Sequence, residues 1–362
     1  MRIILTLFFV LLLGCTHSPA SRGLKVDNQR GLPEPKLQYL GVGGWLIHWG
    51  GEGVLIAPMF SNPGLPGFPP LFVSADEKRI ADYMPHADDV TMLLVGHAHY
   101  DHLLDVPTIM DRYTPKARVF GSETMAHILR AHRSENDPRP LVDPARIVEP
   151  SGAEIAPVGL PGVRGTWFYS IRGRMRDGDT AQDLPEGQPL GRIRAMPIAS
   201  EHAGHVFRYN FLPGAYDDDL GRVPTYIRDW KLGHHTFAWL IDLLDEAGRP
   251  VYRIHFQDSA ANPPYGFPPL LADSKAVDVE ILCAASWNQV DYYPNGLLQV
   301  TRPSLVLLGH WENFFGNDPG EPARTIPLLN YAGLIENIED SGYAGRYKVL
   351  EPLSEVAFPA PR

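Results

Sequence analysis

The sequence predicts one α/β domain over residues 37–358. Three observations carry this expectation. Strand-length apolar runs outnumber helical patterns, the helical patterns fall between them, and no repeat or compositional break divides the stretch. The 362 residues are 44% apolar and 20% charged, which suits a packed chain and excludes disorder as the main state. Gly (34) and Pro (35) make it loop-rich. The net charge is −10 with no basic run, which excludes nucleic acid as a partner, because phosphate binding needs clustered Lys and Arg.

The elements follow in chain order. Ile3 to Leu13 is an apolar run behind the lone early charge of Arg2. It is too short for a membrane-spanning helix, which needs about 20 residues, and reads as a signal-peptide core. It ends in Leu12-Leu13-Gly14-Cys15, which resembles the bacterial lipobox, so residues 1–14 are expected to be removed and Cys15 acylated. Residues 15–36 then form the lipidated N-terminus and a polar tether. Thr16 after Cys15 resembles the pattern sorted to the outer membrane, which puts the expected location in the cell envelope, facing the periplasm. With Cys15 acylated, Cys283 stands alone in an apolar run and reads as a small buried hydrophobe.

Leu37 to Trp49 and Gly53 to Pro58 read as β-type runs, with Gly41-Val42-Gly43-Gly44 as a turn. That turn lacks the Lys and following helix of a phosphate cradle. Residues 62–70 are a Pro/Gly loop. Val90–Val95 is a buried strand, Leu104–Arg112 a helix, Ala117–Phe120 a strand and Glu123–Ala131 a helix. Residues 133–190 mix short strands and turns. Ile193–Ala199 is a strand, and residues 203–232 look like an inserted loop or lid. Phe237–Leu243, Val251–Phe256, Val279–Ala284 and Ser304–Leu308 are further strands.

Of 14 histidines, three lie in one window, His97-Ala98-His99-Tyr100-Asp101-His102, directly after the 90–95 strand and Gly96. Residues two apart in extended backbone share a side, so His97, His99 and Asp101 converge while His102 turns elsewhere. Two imidazoles on one side and an Asp/His pair on the other suit two metal ions, zinc first, with iron or manganese as alternatives. Asp101 as a simple helix cap would leave the three clustered imidazoles without a purpose.

H-x-H-x-D-H after a short apolar strand resembles the signature of the metallo-β-lactamase fold superfamily. The resemblance covers roughly residues 37–315 and implies a four-layer αββα sandwich with two metals at one edge. It implies His202 as the third ligand of the first metal, with His205 as competitor. It implies Asp258, in Phe256-Gln257-Asp258-Ser259, as the carboxylate bridging both metals, and His310 as a ligand of the second. Ala57-Pro58-Met59-Phe60-Ser61 is similar to the D-P-x-F-S string of the branch containing N-acyl-phosphatidylethanolamine phospholipase D and ascorbate-6-phosphate lactonase-like enzymes. Two departures stand out: Ala57 replaces the usual Asp that supports the site, and Gln257 replaces the Gly before the bridging Asp. Asp258 itself argues against antibiotic hydrolysis as the main role.

Two zinc ions sharing a water lower its pKa from about 15.7 towards about 7. The expected chemistry is therefore hydrolysis by a metal-bridging hydroxide, with Asp101 and Asp258 as the catalytic carboxylates. Phosphodiesters or phospholipid-like molecules are the first substrate expectation; lactones, esters or amides are the alternative, and a non-catalytic metal-binding lipoprotein is a third reading. Tyr100, His235 and Trp311 are substrate-pocket candidates, and the expected partners are a small-molecule or lipid substrate and, through Cys15, a membrane.

Overall fold

Strand alternation in this chain builds two mixed β-sheets that share one apolar core. A computed structural model describes residues 17–64, 72–157, 164–179, 190–205, 207–210, 212–327 and 329–362. The signal segment and Cys15, and most of the 62–70 loop, lie outside the described residues.

In chain order the strands begin with β1 (Val26–Asp27), β2 (Lys36–Gly41), β3 (Gly44–Trp49), β4 (Glu52–Ile56), β5 (Val90–Leu94) and β6 (Arg118–Phe120). There follow the hairpin β7 (His132–Ser134) and β8 (Asp137–Pro140), then β9 (Ile147–Val148), β10 (Thr166–Tyr169), β11 (Arg174–Arg176) and β12 (Ile193–Ser200). The remainder are β13 (Thr236–Leu244), β14 (Pro250–Phe256), β15 (Val279–Cys283), β16 (Leu305–Gly309), β17 (Tyr347–Leu350) and β18 (Glu355–Ala357). The helices are α1 (Glu77–Tyr83), α2 (Tyr100–Leu103), α3 (Val106–Arg112), α4 (Glu123–Leu129), α5 (Asn295–Thr301) and α6 (Tyr331–Ile338).

One sheet has seven strands in the order β18-β2-β3-β4-β5-β6-β9; the other has nine, β1-β17-β16-β15-β14-β13-β12-β10-β11. Each combines an antiparallel part with a parallel wing, β4-β5-β6-β9 in the first and β14-β15-β16-β17-β1 in the second. Period-two alternation places Phe237, Trp239, Ile241 and Leu243 of β13 against Met92 and Leu94 of β5, between the sheets. Leu93 of β5 and Val95 just beyond it face outward onto Leu103, Ile109, Met110 and Ile128 of α2, α3 and α4. On the far side Glu280 of β15 reaches Thr301 of α5, so helices cover the nine-stranded sheet as well. The result is an αββα layering. Among the described residues no helix is long and apolar enough to cross a membrane.

The structure refines two expectations and corrects a third. The helix expected over Leu104–Arg112 is α3, which starts two residues later, at Val106, with Pro107 in its first turn, and α2 is a separate single turn ahead of it; between the two the Asp105 carboxylate is committed elsewhere. It accepts from the Phe60 and Ser61 amides and the Ser61 hydroxyl, at 2.6, 2.9 and 2.5 Å. The polar stretch expected as a tether is packed from His17 on: Leu24 is buried and Val26–Asp27 pairs in parallel with Val349–Leu350. An open sheet edge supplied partners that a polar composition does not announce. Among its described residues the inserted stretch 203–232 is a loop, as expected, with one turn of 3-10 helix at Ile227–Asp229 and an isolated bridge from Tyr226 to Phe72. It is nonetheless anchored, with Trp230 fully buried and the Ala98 amide donating to the Leu232 carbonyl at 3.2 Å.

A buried ionic knot braces β12, β13 and β14. Arg253 is wholly buried, bonds Asp242 at 2.7 and 2.8 Å and Asp273 at 2.8 and 2.9 Å, and shares Asp242 with Arg194. Both guanidiniums lie over the Trp167 ring.

Candidate metal centre

Four loops leave the same end of the two sheets and bring seven side chains together. The first leaves β5, whose buried run ends at Val95-Gly96. Gly96 is required there: a Cβ would stand 2.3 Å from the Asp258 carboxyl carbon. Its carbonyl accepts from the Phe237 amide at 2.8 Å, which ties this loop to β13 of the other sheet. His97, His99, Asp101 and His102 follow, all buried, with the last two in the single turn of α2. The second loop extends β12 to His202. The third follows β14 by one residue, Gln257, and presents Asp258. The fourth begins at His310, immediately after β16.

The donor atoms converge. One atom each from His97, His99 and His202 lies within 4.8 Å of the others, and so does one each from His97, Asp101 and His102. Asp258 touches both groups, with Oδ2 2.5 Å from His97 Nδ1 and Oδ1 3.0 Å from His102 Nδ1. His310 Nε2 lies 3.2 Å from Asp101 Oδ2, and His102 Nε2 lies 3.5 Å from the same oxygen. His102 does not turn away from His97 as extended backbone suggested. The α2 turn brings it back, and the two rings are 4.2 Å apart.

Backbone carbonyls orient two of the imidazoles. His99 Nε2 donates to the Leu212 carbonyl at 3.1 Å and His202 Nδ1 to the Ala203 carbonyl at 2.6 Å. Each bond places the proton on the outer nitrogen and leaves the other lone pair facing inward. His310 has a left-handed backbone, φ 54°, rare for a non-glycine residue and a mark of local strain. Its amide is held by the Val42 carbonyl at 2.8 Å and the Tyr39 hydroxyl at 3.0 Å. Tyr39 in turn donates to buried Glu312 at 2.5 Å, and Glu312 accepts the Val42 amide. Burial pushes the Glu312 carboxyl up. The turn at Gly43 closes the pocket, since a Cβ there would stand 2.8 Å from the His102 ring.

The protonation pattern is that of a cation site. Burial and then the neighbouring imidazoles hold His99 and His202 well below the ordinary histidine range, and burial also lowers His97. Burial opposes ionisation of Asp101, but His102 and His310 outweigh it and hold the carboxyl well down; His102 and His97 do the same for Asp258. Burial likewise opposes charge on His102, yet Asp258 and Asp101 push it up to about 9. Inward-facing lone pairs and ionised carboxylates thus face one another. Buried His97 Nε2, His102 Nδ1, Asp258 Oδ1 and His310 Nδ1 lack a hydrogen-bond partner, the 3.0 Å pair of His102 and Asp258 being misaligned. Such a donor set fits a divalent metal.

The remaining candidates separate from the cluster. Trp311 is fully buried and donates to the Leu350 carbonyl at 2.9 Å, so it packs the core instead of lining a pocket. His235 pairs with Glu123 of α4 at 3.0 Å and stacks on Phe237. Tyr100 is buried beside Phe314 and Phe315. Cys283 is buried and its thiol is pushed up by burial, which leaves it inert. His205 stands outside the converging groups, its ring 5.1 Å from His202 and 5.8 Å from His99. Sequence reasoning missed Tyr39 and Glu312; the one signal for Glu312 was an acid in an apolar stretch two residues after His310.

No protein-family model and no curated protein matches the chain. Among solved structures it is similar to Igni18, a metallo hydrolase from the archaeon Ignicoccus hospitalis (17% identity, 90% of this chain and 98% of that one, TM-score 0.43). It is also similar to an isothiocyanate hydrolase from Delia radicum gut bacteria (11%, 89% and 99%, TM-score 0.45). A third is a metallo-β-lactamase from Cronobacter sakazakii (16%, 88% and 96%, TM-score 0.32).

Proposed function

We propose that the protein is a metal-dependent hydrolase that cleaves phosphodiesters, phospholipid-type headgroup esters among them, and that it is held at the bacterial envelope by an acylated Cys15. The supporting observation is the convergence of His97, His99, Asp101, His102, His202, Asp258 and His310 from both sheets. In this reading His97, His99 and His202 hold one zinc ion. Asp101, His102 and His310 hold a second, and Asp258 serves both. The ions, when bound, supply Lewis acidity and a nucleophilic water at neutral pH. The chain does the rest. The Leu212 and Ala203 carbonyls fix two imidazole tautomers, and the Tyr39–Glu312 pair holds His310 in its strained backbone.

The test is elemental analysis of the full chain together with a panel of chromogenic phosphodiesters, lactones and cephalosporins. Two ions per chain and turnover of the phosphodiesters are expected. Turnover of the carbonyl substrates alone would replace the substrate assignment, and a metal-free, inactive chain would overturn the whole reading.

A further inference from the structure

The imidazoles of the centre are not equally shielded from solvent. His97, His99, Asp101, His102, Asp258 and His310 are buried, whereas His202 is half-buried, and so is His205, three residues on. The turn beyond His205 reaches solvent at exposed Phe207 and Tyr209. The side that carries His202 and His205 is therefore the solvent-facing side of the cluster, where a substrate arrives. The rings of His97, His99 and His202 pack on one another with centroids 4.6, 4.7 and 4.8 Å apart. His205 lies just outside them, 5.1 Å from His202 and 5.8 Å from His99, and the charges of Asp101, His97 and His310 still bear on it. It is a further imidazole that faces both groups of donors and belongs to neither.

A strained turn holds it there. Gly204 has no room for a side chain, since a Cβ would stand 2.3 Å from the Arg208 carbonyl carbon. The His205 amide donates to the Tyr209 carbonyl at 2.9 Å, and Phe207 and Arg208 between them are both left-handed, with φ 48° and 61°. Neighbouring non-glycine residues seldom share that region, and such strain persists only where the surroundings fix it. Here the Arg208 amide donates to Gln289 Oε1 at 2.8 Å, and its guanidinium to both Asp291 oxygens at 2.6 and 3.1 Å. The Ala203 amide donates to Ser259 Oγ at 3.1 Å, which ties the base of the turn to the residue after Asp258. A connection between β12 and β13 alone does not require a strained turn beside the donors.

We propose that His205 is a catalytic residue and not a metal ligand: its ring N–H donates a hydrogen bond to the substrate oxygen that gains negative charge, a phosphoryl oxygen in the reading given above. A neutral imidazole always offers one N–H, so no proton changes hands. A donor aimed at developing charge acts on the rate more than on substrate binding. The inference rests on the hydrolase reading of the preceding section and is independent of the Cys15 anchor.

The full chain is loaded with zinc, and the parent, His205→Ala and His205→Gln are compared; Gln keeps an N–H donor. Zinc per chain, kcat and KM on a chromogenic phosphodiester, and the dissociation constant of orthovanadate by calorimetry are measured. All three proteins are expected to hold the same zinc. In His205→Ala kcat falls about a hundredfold with KM little changed, and vanadate binds about tenfold more weakly. His205→Gln recovers most of both. Loss of zinc from His205→Ala makes His205 a ligand and overturns the proposal. Unchanged kcat and vanadate affinity at full zinc overturn it too, as do equal losses in both variants, which mark a packing role. A parent chain that takes up zinc but turns over only lactones or esters fails the substrate assignment alone, and the same fall in kcat is then expected on those substrates. A parent chain without metal or activity overturns the hydrolase reading, and this inference falls with it.

Discussion

Gly96 shows how little room the donor cluster leaves. Its Cβ position falls 2.3 Å from the Asp258 carboxyl carbon, so Gly96→Ala must displace either the 96–102 loop or Asp258. The expected cost is about 1–3 kcal/mol of stability, with a loss of bound metal larger than that figure alone implies, because Asp258 touches both groups of donors. Metal content and urea midpoint measured on the same preparation check this. Gly96 was visible in the sequence as the residue between strand and histidines, but the reason for it was not, since Asp258 lies 162 positions away. The same applies to the Leu212 and Ala203 carbonyls that set two imidazole tautomers: backbone partners leave no trace in residue type.

Protons and metal compete for these side chains, and the sign can be worked out for the metal-free protein. His97, His99, His202 and His205 are pulled down, the last to about 4. Below the ordinary histidine value of about 6.5 the unfolded chain therefore takes up protons that the folded chain refuses, and stability falls with pH. His102 acts oppositely. Raised to about 9, it contributes most below pH 6.5 and fades as pH rises to 9. Burial also raises the Glu312, Glu280 and Asp105 carboxyls, which works with His102, but the four depressed histidines are expected to dominate and give a lower urea midpoint at pH 5 than at pH 7 in the presence of a chelator. An equal or higher midpoint at pH 5 would contradict the charge pattern described here.

At the level of elements, Arg253 is the clearest liability. It is wholly buried between Asp242 and Asp273. Arg253→Met would leave buried Asp242 with Arg194 alone and take from Asp273 its main partner, at a cost of about 3–5 kcal/mol measurable by chemical denaturation. Arg253 sits mid-strand in β14 and the nearest donor, Asp258, follows five residues on, past the strand's end, so the donor geometry should survive in the fraction that stays folded. Strands such as β5, β13 and β16 were legible because buried runs of this length have few alternatives, and the donors were legible because they follow those strands directly. The single turn of α2 ahead of the expected helix was not legible. Neither was the role of Asp105, which spends its carboxylate on Phe60 and Ser61, a contact 44 positions away. The packing of residues 17–35 was equally hidden, since a two-residue strand such as β1 exists only because β17 offers an edge.

For the molecule as a whole, four of the seven donors follow β5 of one sheet and three follow β12, β14 and β16 of the other. A cation bound among them links the two halves. At zinc concentrations a hundredfold above the dissociation constant, binding to the folded chain alone adds about 2.7 kcal/mol. Chelation should therefore lower the melting temperature, and re-addition of zinc should restore it. His97→Ala should abolish most of that response while leaving the apo melting temperature close to that of the parent.

That division of donors would make bound ions a clasp. The exposed run Asp217-Asp218-Asp219 lies between His202 and Asp258 in the chain, so a nick there separates five donors from the remaining two. The two fragments share no covalent link, and the last two donors, Asp258 and His310, come from the smaller one. Reassembly of the nicked protein should then track the supply of divalent cation, with metal serving as a fastener as well as a reagent.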